Sequence, residues 1–483
     1  MTTGRRAGPE PTAEADRDSD ADVRRGLVLT VLVVPLFMAL MGVSIVNVSL
    51  PAIQEGLGAS TAQLQWVLSG YSLTFGLLLV PAGRLGDVFG RRTLFLAGVS
   101  LFVLASAASA LAPSPTLLNV ARLVMGVGSG LFNPQIVGMI QQYFSGAARA
   151  RAFGVIGSFI GLALATGPLL GGVILQTLGP DLGWRMVFGV NVPVGLLAVV
   201  LALRWLPRPV HAERPHGRVD LDPLGIVVFG AAVLLVMAPF LQVSDSLWRF
   251  AALPLSALVL WGWVRWERRY RRRGGEPMID VRIFADRGFA YGTSVVTIYF
   301  LGLTPSWAVL ALYVQQGLGR SALVAGLLTL PGALAASVTS VLGGRLVTRL
   351  GRPMVAAGAA VAALGQLGTG LLAPWVDDGR VGLWAMAATF LVTGAAQGFV
   401  IGPNQSLTLA DVPVEHGGAA GGVMQTGQRI GGAVGIAVGT GVLYAVLADS
   451  DWPTAVLVSF VVMAAATSIC VVVALLDARR RAR

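Results

Sequence analysis

Fourteen apolar stretches, most of about twenty residues, follow one another from residue 26 to residue 476. A helix of that length spans about 30 Å, the thickness of a bilayer's hydrocarbon core. Inside lipid every backbone polar group must find its partner within a helix or a closed barrel. The stretches are continuous and do not alternate in ten-residue pieces, so a β-barrel does not fit. Composition agrees: 55% of the 483 residues are hydrophobic and 12% are charged, about half the charge of a soluble domain. The 62 glycines suit helices that must approach closely where lipid supplies no hydrophobic driving force. The expected fold class is an all-α polytopic membrane protein. Its spans are read at 26–50, 64–82, 93–112, 117–140, 152–175, 186–203, 224–241, 250–264, 289–314, 322–344, 354–374, 381–402, 419–445 and 453–476.

The basic residues test this count. All 35 are arginine. With the N-terminus inside, the outward connections hold only Arg185, Arg249, Arg320 and Arg380, while 29 arginines fall in inward segments. That asymmetry is the positive-inside pattern. It places both termini in the cytoplasm and the chain, multi-pass, in the cytoplasmic (inner) membrane. The net charge of +11 is thus a topology signal and not a nucleic-acid surface. Residues 1–25 mix both charge signs and are expected to be disordered. The first apolar run is too long for a signal-peptide core and is expected to stay as an anchor. Cys470 is the one cysteine, which excludes an intramolecular disulfide.

The chain repeats itself. GRLGDVFGRR, from Gly83, matches GRLVTRLGRP, from Gly344; GVGSGLFNPQ, from Gly126, matches GAAQGFVIGPNQ, from Gly394. Both pairs sit at equivalent places with the same orientation, which implies a parallel repeat of six spans plus six. The expected division is a tail at 1–25, a six-helix bundle at 26–206, a linker with two additional spans at 207–288, a second bundle at 289–476 and a tail at 477–483.

These strings resemble the Major Facilitator Superfamily, and within it the fourteen-span drug:proton antiporter branch. Gly83, Asp87, Gly90, Arg91 and Arg92 resemble the family's loop signature, and Arg122 with Gly126 its span-4 signature. Gly154, Gly167, Pro168, Gly171 and Gly172 resemble the antiporter signature of span 5. WRMVFGVNVPVG, from Trp184, LYVQQGLGRSALVAGLLTLP, from Leu312, and QTGQRIGGAVGIA, from Gln425, extend the likeness. In SIVNVSLP, from Ser44, the sequence departs: many relatives carry an acid two positions earlier, where this chain has Gly42. The resemblance implies two bundles rocking about a central site and export of drugs or amphipathic metabolites, in exchange for protons. An uptake symporter on the same scaffold is the rival, because fold does not fix direction.

Physical reading assigns roles on that frame. Asp87 can accept hydrogen bonds from a helix end or an arginine, and Arg91 and Arg92 can pin the loop, so Gly83–Arg92 is expected to act as a conformational latch. The arginines read equally well as topology markers. Arg122 lies within span 4 and is expected to face a cavity, where its guanidinium holds its charge and biases neighbours. Arg429 in span 13 is as consistent with a cavity as with snorkelling. Asn47, Asn133 and Gln135 are placed with Arg122 and Arg429 on the translocation cavity. Tyr313, Gln315, Asn404, Gln405 and Gln425 are candidate substrate-lining residues. For any single amide, a tie between helices is the commoner role. Small residues along span 5, with a kink at Pro168, are expected to bring the bundles close.

All 24 acidic residues fall in tails, loops or span ends; relatives that expel lipophilic cations tend to place a carboxylate within a span, so the resemblance implies neutral, zwitterionic or anionic amphipathic substrates here. Asp87 is the first expectation for the proton carrier, with Asp222 and His416 behind it. Three histidines in loops and no metal-ligand spacing exclude an enzyme and leave no metal or cofactor to expect. The partners expected are a small organic substrate, protons and membrane lipid, with the protein working as a monomer.

Overall fold

The computed structural model describes residues 12–207, 222–241 and 251–481, and every regular element among them is helical. Six helices form a first half: α1 (Thr12–Leu57), α2 (Thr61–Phe89), α3 (Arg91–Ala110), α4 (Pro115–Tyr143), α5 (Gly146–Gly189) and α6 (Asn191–Trp205). A hairpin follows, α7 (Pro223–Leu241) and α8 (Ala252–Arg272). The second half comprises α9 (Arg287–Leu312), α10 (Ala322–Asp377), α11 (Ala385–Gly398), α12 (Ile401–Thr408), α13 (Gly417–Leu447) and α14 (Trp452–Arg481).

Local chemistry sets the helix ends. Ser60 and Gln63 form a reciprocal capping box at α2. Ser114 caps α4 ahead of Pro115, and Asp286 caps α9 through the Gly288 amide at 2.7 Å. Gly90 turns α2 into α3 at φ 94°, a conformation that side-chain-bearing residues avoid.

Ten helical stretches among the described residues are long and apolar enough to cross a bilayer. Two of these, Gly146–Trp205 and Leu323–Asp377, hold 60 and 55 residues, more than twice the ~20 one crossing needs. Each contains a glycine with non-helical backbone, Gly179 and Gly351, and each covers two of the expected runs. The apolar part of α7, Pro223–Val236, is shorter.

Two expectations need correction. The run at 250–264 belongs to a helix that continues to Arg272; its second half is amphipathic and lays Trp263 against Phe229, ring centroids 5.0 Å apart. The tail expected to be disordered at 1–25 is helical from Thr12, continuous with α1, while residues 1–11 lie outside the described residues. Alanines and acidic residues favour the start of a helix, where the acids complement its dipole.

Packing separates the halves at one end and joins them at the other. α1 packs on α5 and α6, and α4 on α2 and α3; in the second half α10 packs on α11 and α14, and α9 on α13 and α14. The halves meet along two seams, α5 with α10 and α2 with α13. At the end bearing Gly83 and Gly344, Phe289, Val296, Leu409, Val412, Ala420 and Met424 share one core with first-half residues. At the opposite end each half has its own core, one around Trp184 and Phe188 and the other around Tyr313 and Phe460. Large apolar side chains such as Leu104, Leu111, Val338 and Leu364 face outward, as lipid contact requires.

Candidate translocation site and inter-half latch

The repeated strings stand at the two seams. A Cβ on Gly83 would lie 2.3 Å from the Gly418 carbonyl oxygen on α13; one on Gly344 would lie 3.0 Å or less from the Gly154 backbone on α5. Each copy's first glycine therefore lets its helix touch the start of the equivalent helix in the other half.

Asp87 binds across the first seam. Its Oδ2 accepts the Ala419 N–H at 3.0 Å and its Oδ1 the Gly418 N–H at 3.2 Å, so it caps α13 from the other half. Arg91 Nη2 donates to the same Oδ1 at 2.8 Å and to the Val414 carbonyl, while its Nη1 donates to the Gly138 carbonyl. Gln141 adds a 2.9 Å bond to the Leu409 carbonyl, and Arg84 pairs with Glu276 at 2.6 Å. Arg92 does not join them: its Nη2 donates to the Leu203 carbonyl at 3.0 Å within its own half. Beside the latch lies a cleft of 1420 Å³, lined by Arg84, Asp87, Glu276, Asp280, Asp411 and His416 among others.

The second copy works differently. Arg352, equivalent to Arg91, bonds Asn404 Oδ1 at 2.7 Å and the Gly288 carbonyl at 3.1 Å, and pairs with Asp477 at 2.7 Å. All of these lie in the second half. Thr348 stands in place of the acid, and α14 supplies one instead.

Above the latch, Arg122 is 1% exposed. Its Nε donates to the Val67 carbonyl at 2.8 Å, its Nη1 approaches Met125 Sδ at 3.4 Å, and its guanidinium lies 4.4 Å from the Tyr71 ring centroid. Tyr71 shares a 2.8 Å hydrogen bond with Ser129. Arg429 stacks over Phe75 at 4.3 Å. The structure thus brings Arg122 and Arg429 to the same face of α2, with Gln425 half-buried one turn away on α13.

Other expected residues lie elsewhere. Tyr313 is fully buried, its hydroxyl bonding the Ala373 carbonyl at 3.1 Å, and Asn404 bonds both Arg352 and the Gly292 carbonyl. Both tie helices together within one half. Gln315 is exposed and bonds the Ala311 carbonyl of its own helix. Gln135 fills the space beside Gly86 and donates to Ala82, an α2–α4 tie; Asn133 bonds Ser129 within α4. Gln405 is buried and Asn47 exposed on α1.

Of the span-5 signature, Gly154 alone faces the other half, joined there by Gly157 and Gly161, which pack on Ser340 and Ser337. Gly167 and Gly171 face Ser44 and Ile45 of α1, and Gly172 has open space around it. The backbone of α5 departs from helical geometry at Gly179 and stays helical at Pro168. Sequence reasoning missed Asp477, Gln141 and Tyr71, which carry no motif of their own, and Asn191, which lies inside the string from Trp184 but was given no role; the acid placed near a span end at Asp477 was the available signal.

The foot of α7–α8 holds a further acidic pair. Asp222 accepts from Trp266 Nε1 and the Gly225 amide, both at 2.9 Å, and its other oxygen faces Glu267 beside Gly225. Burial and then the neighbouring Asp222 carboxylate push Glu267 up to about 8.

Known proteins place this architecture. The Major Facilitator Superfamily profile matches residues 32–436 and 293–483. The "Probable actinorhodin transporter" of Streptomyces coelicolor is 33% identical over 441 residues, covering 90% of this chain and 73% of that protein. The cephamycin export protein CmcT of Amycolatopsis lactamdurans is 36% identical over 412 residues, 83% of this chain and 82% of its own. The crystal structure of the human organic anion transporter MFSD10 (TETRAN) superposes with a TM-score of 0.68 over 93% of this chain and 99% of that one, at 16% identity. With two halves joined at glycine seams, the duplicated loop at both and relatives across most of its length, the chain belongs to the Major Facilitator Superfamily.

Proposed function

We propose that the protein exports small amphipathic organic molecules from the cytoplasm by alternating access, in exchange for protons. The observation carrying this reading is the asymmetry between the two ends. Asp87 and the Gly83–Gly418 contact join the halves at one end, while separate cores leave the other end free to part. Such contacts form in one state and break in the other, which is what a rocking pair of bundles requires. The relatives named for actinorhodin transport and cephamycin export supply the direction.

On this reading the bundles are 26–206 and 289–476, with α7–α8 and their flanks (207–288) as an inserted pair that raises the spans to fourteen. The Asp87 end faces the cytoplasm together with both termini, and the chain works as a monomer in the cytoplasmic membrane. Asp87 is the first choice for a proton-responsive group, since protonation would remove the acceptor that holds Arg91 and the α13 amides. A susceptibility panel in a host stripped of its own pumps, with and without a protonophore, tests the proposal. Protection that collapses with the proton gradient supports export by antiport; accumulation of the compounds supports the symporter instead.

A further inference from the structure

Five ion pairs are formed among the described residues, and they engage Arg84, Arg91, Arg271, Arg352 and Arg380. Arg122 and Arg429, the two arginines within the spans, are in none of them. Arg122 touches a carbonyl, a thioether and two rings, Tyr71 at 4.4 Å and Phe188 at 5.8 Å. Arg429 touches the Phe75 ring. The Tyr71 and Phe75 rings lie 5.8 Å apart, so the two guanidiniums flank one aromatic pair on α2. Two like charges therefore share one aromatic pair, and no ion pair among the described residues engages either. Carbonyls and ring faces offset only part of the cost of holding a guanidinium out of water.

A second feature points to the same place. Asn191 is 1% exposed, and both its amide atoms lack a hydrogen-bond partner among the described residues. It faces Gly42, where a Cβ would stand 4.0 Å from Asn191 Nδ2 and 3.8 Å from Met125 Cε. Those are ordinary contact distances, so a side chain at 42 begins in available space. Met125, which also borders position 42, is the residue that Arg122 touches. Arg429 lies eleven residues beyond Gly418, about 16 Å along α13 from the latch. That is the level at which the halves pass from a shared core to separate ones.

We propose that Arg122 and Arg429, arranged about the pair Tyr71 and Phe75, bind the acidic group of an amphipathic organic anion, whose apolar body rests against Phe75 and Phe188. The inference rests on the export reading for its direction and names the substrate class of that site. A carboxylate or phenolate supplies the missing negative charge and accepts from both planar guanidiniums. A permanent cation meets two unscreened positive charges.

Equilibrium binding to the purified full chain in detergent tests this without reference to direction. The probes are 1-pyrenebutyrate, its uncharged amide and the matching trimethylammonium compound, read by pyrene fluorescence. The wild type is expected to bind the acid at least about tenfold tighter than the amide, a gap of about 1.4 kcal/mol. Arg429→Gln should erase that preference and Arg429→Lys should keep part of it, both eluting as monodisperse protein. Gly42→Asp should supply an internal carboxylate, cost the acid its advantage and admit the trimethylammonium probe. No preference for the acid in the wild type, including no binding at all, overturns the inference, as does a preference undiminished in Arg429→Gln. Anion binding without drug efflux in cells would instead overturn the export reading alone, and efflux confined to cations would overturn the anion site alone.

Discussion

Arg352 and Asp477 form an ion pair, Nε to Oδ2 at 2.7 Å, with each side chain 3% exposed. Arg91, the equivalent residue of the first half, takes its carboxylate from Asp87, four residues earlier across the Gly90 turn. The two copies of one loop thus solve the same charge problem with acids from different places, and only the first solution reaches across to the other half.

Asp477→Asn should therefore act on the fold more than on the transport cycle. Removing one partner of a buried pair costs about 3–5 kcal/mol. A large drop in melting temperature of the detergent-solubilised protein, rescued in part by Arg352→Met with Asp477→Leu, is expected. An unchanged melting temperature would refute the assignment.

Asp87→Asn should act on the closed end instead. It removes a charged acceptor shared by Arg91 and the amides of Gly418 and Ala419. Loss of about 1–2 kcal/mol from that state corresponds to a five- to thirtyfold change in its population. Amides 414–420 should exchange hydrogen for deuterium faster, and proton-driven efflux should fall. Protection equal to the wild type would show that the latch is held by other contacts.

Among the glycines, position decides the outcome. Gly83→Ala places a methyl 2.3 Å from the Gly418 carbonyl and must drive α2 from α13; Gly172→Ala meets nothing within 4 Å. Transport should drop at least about tenfold in the first, while the second should stay within about 0.5 kcal/mol of wild-type stability. Equal activity of the two variants in vesicles would contradict the seam.

Glu267 predicts a pH dependence. Its folded-state value, about 8, stands above the ordinary 4.5, so across that window the folded chain holds a proton that the unfolded chain has released. Stability falls as pH rises through the window and levels off above it. Glu267→Gln should match the wild type near about pH 5 and melt at a higher temperature near about pH 9. An identical slope in both proteins would show that Glu267 does not control it.

Several features were legible before any coordinates. Continuous apolar runs, the duplicated Gly-Arg strings at Gly83 and Gly344 and the glycine at 154 each express a requirement local to one segment. The helix ties of Tyr313 and Asn404 were not legible, because an amide or phenol inside a span looks the same whether it faces a pathway or a neighbouring helix. Both turned out to bond groups more than fifty residues away. Arg92 likewise carried the same motif position in either role, and the C-terminus of α6 claimed it.

Sequence alone determined that helices would be the architecture, where the apolar runs lie and that the chain is built twice, because lipid acts on each segment through its own side chains. Tertiary structure alone decided which charges are paired. Among the described residues, Arg91 and Arg352 found carboxylates while Arg122 and Arg429 did not. Pairing depends on which distant helices come within 4 Å, and no local pattern encodes that meeting.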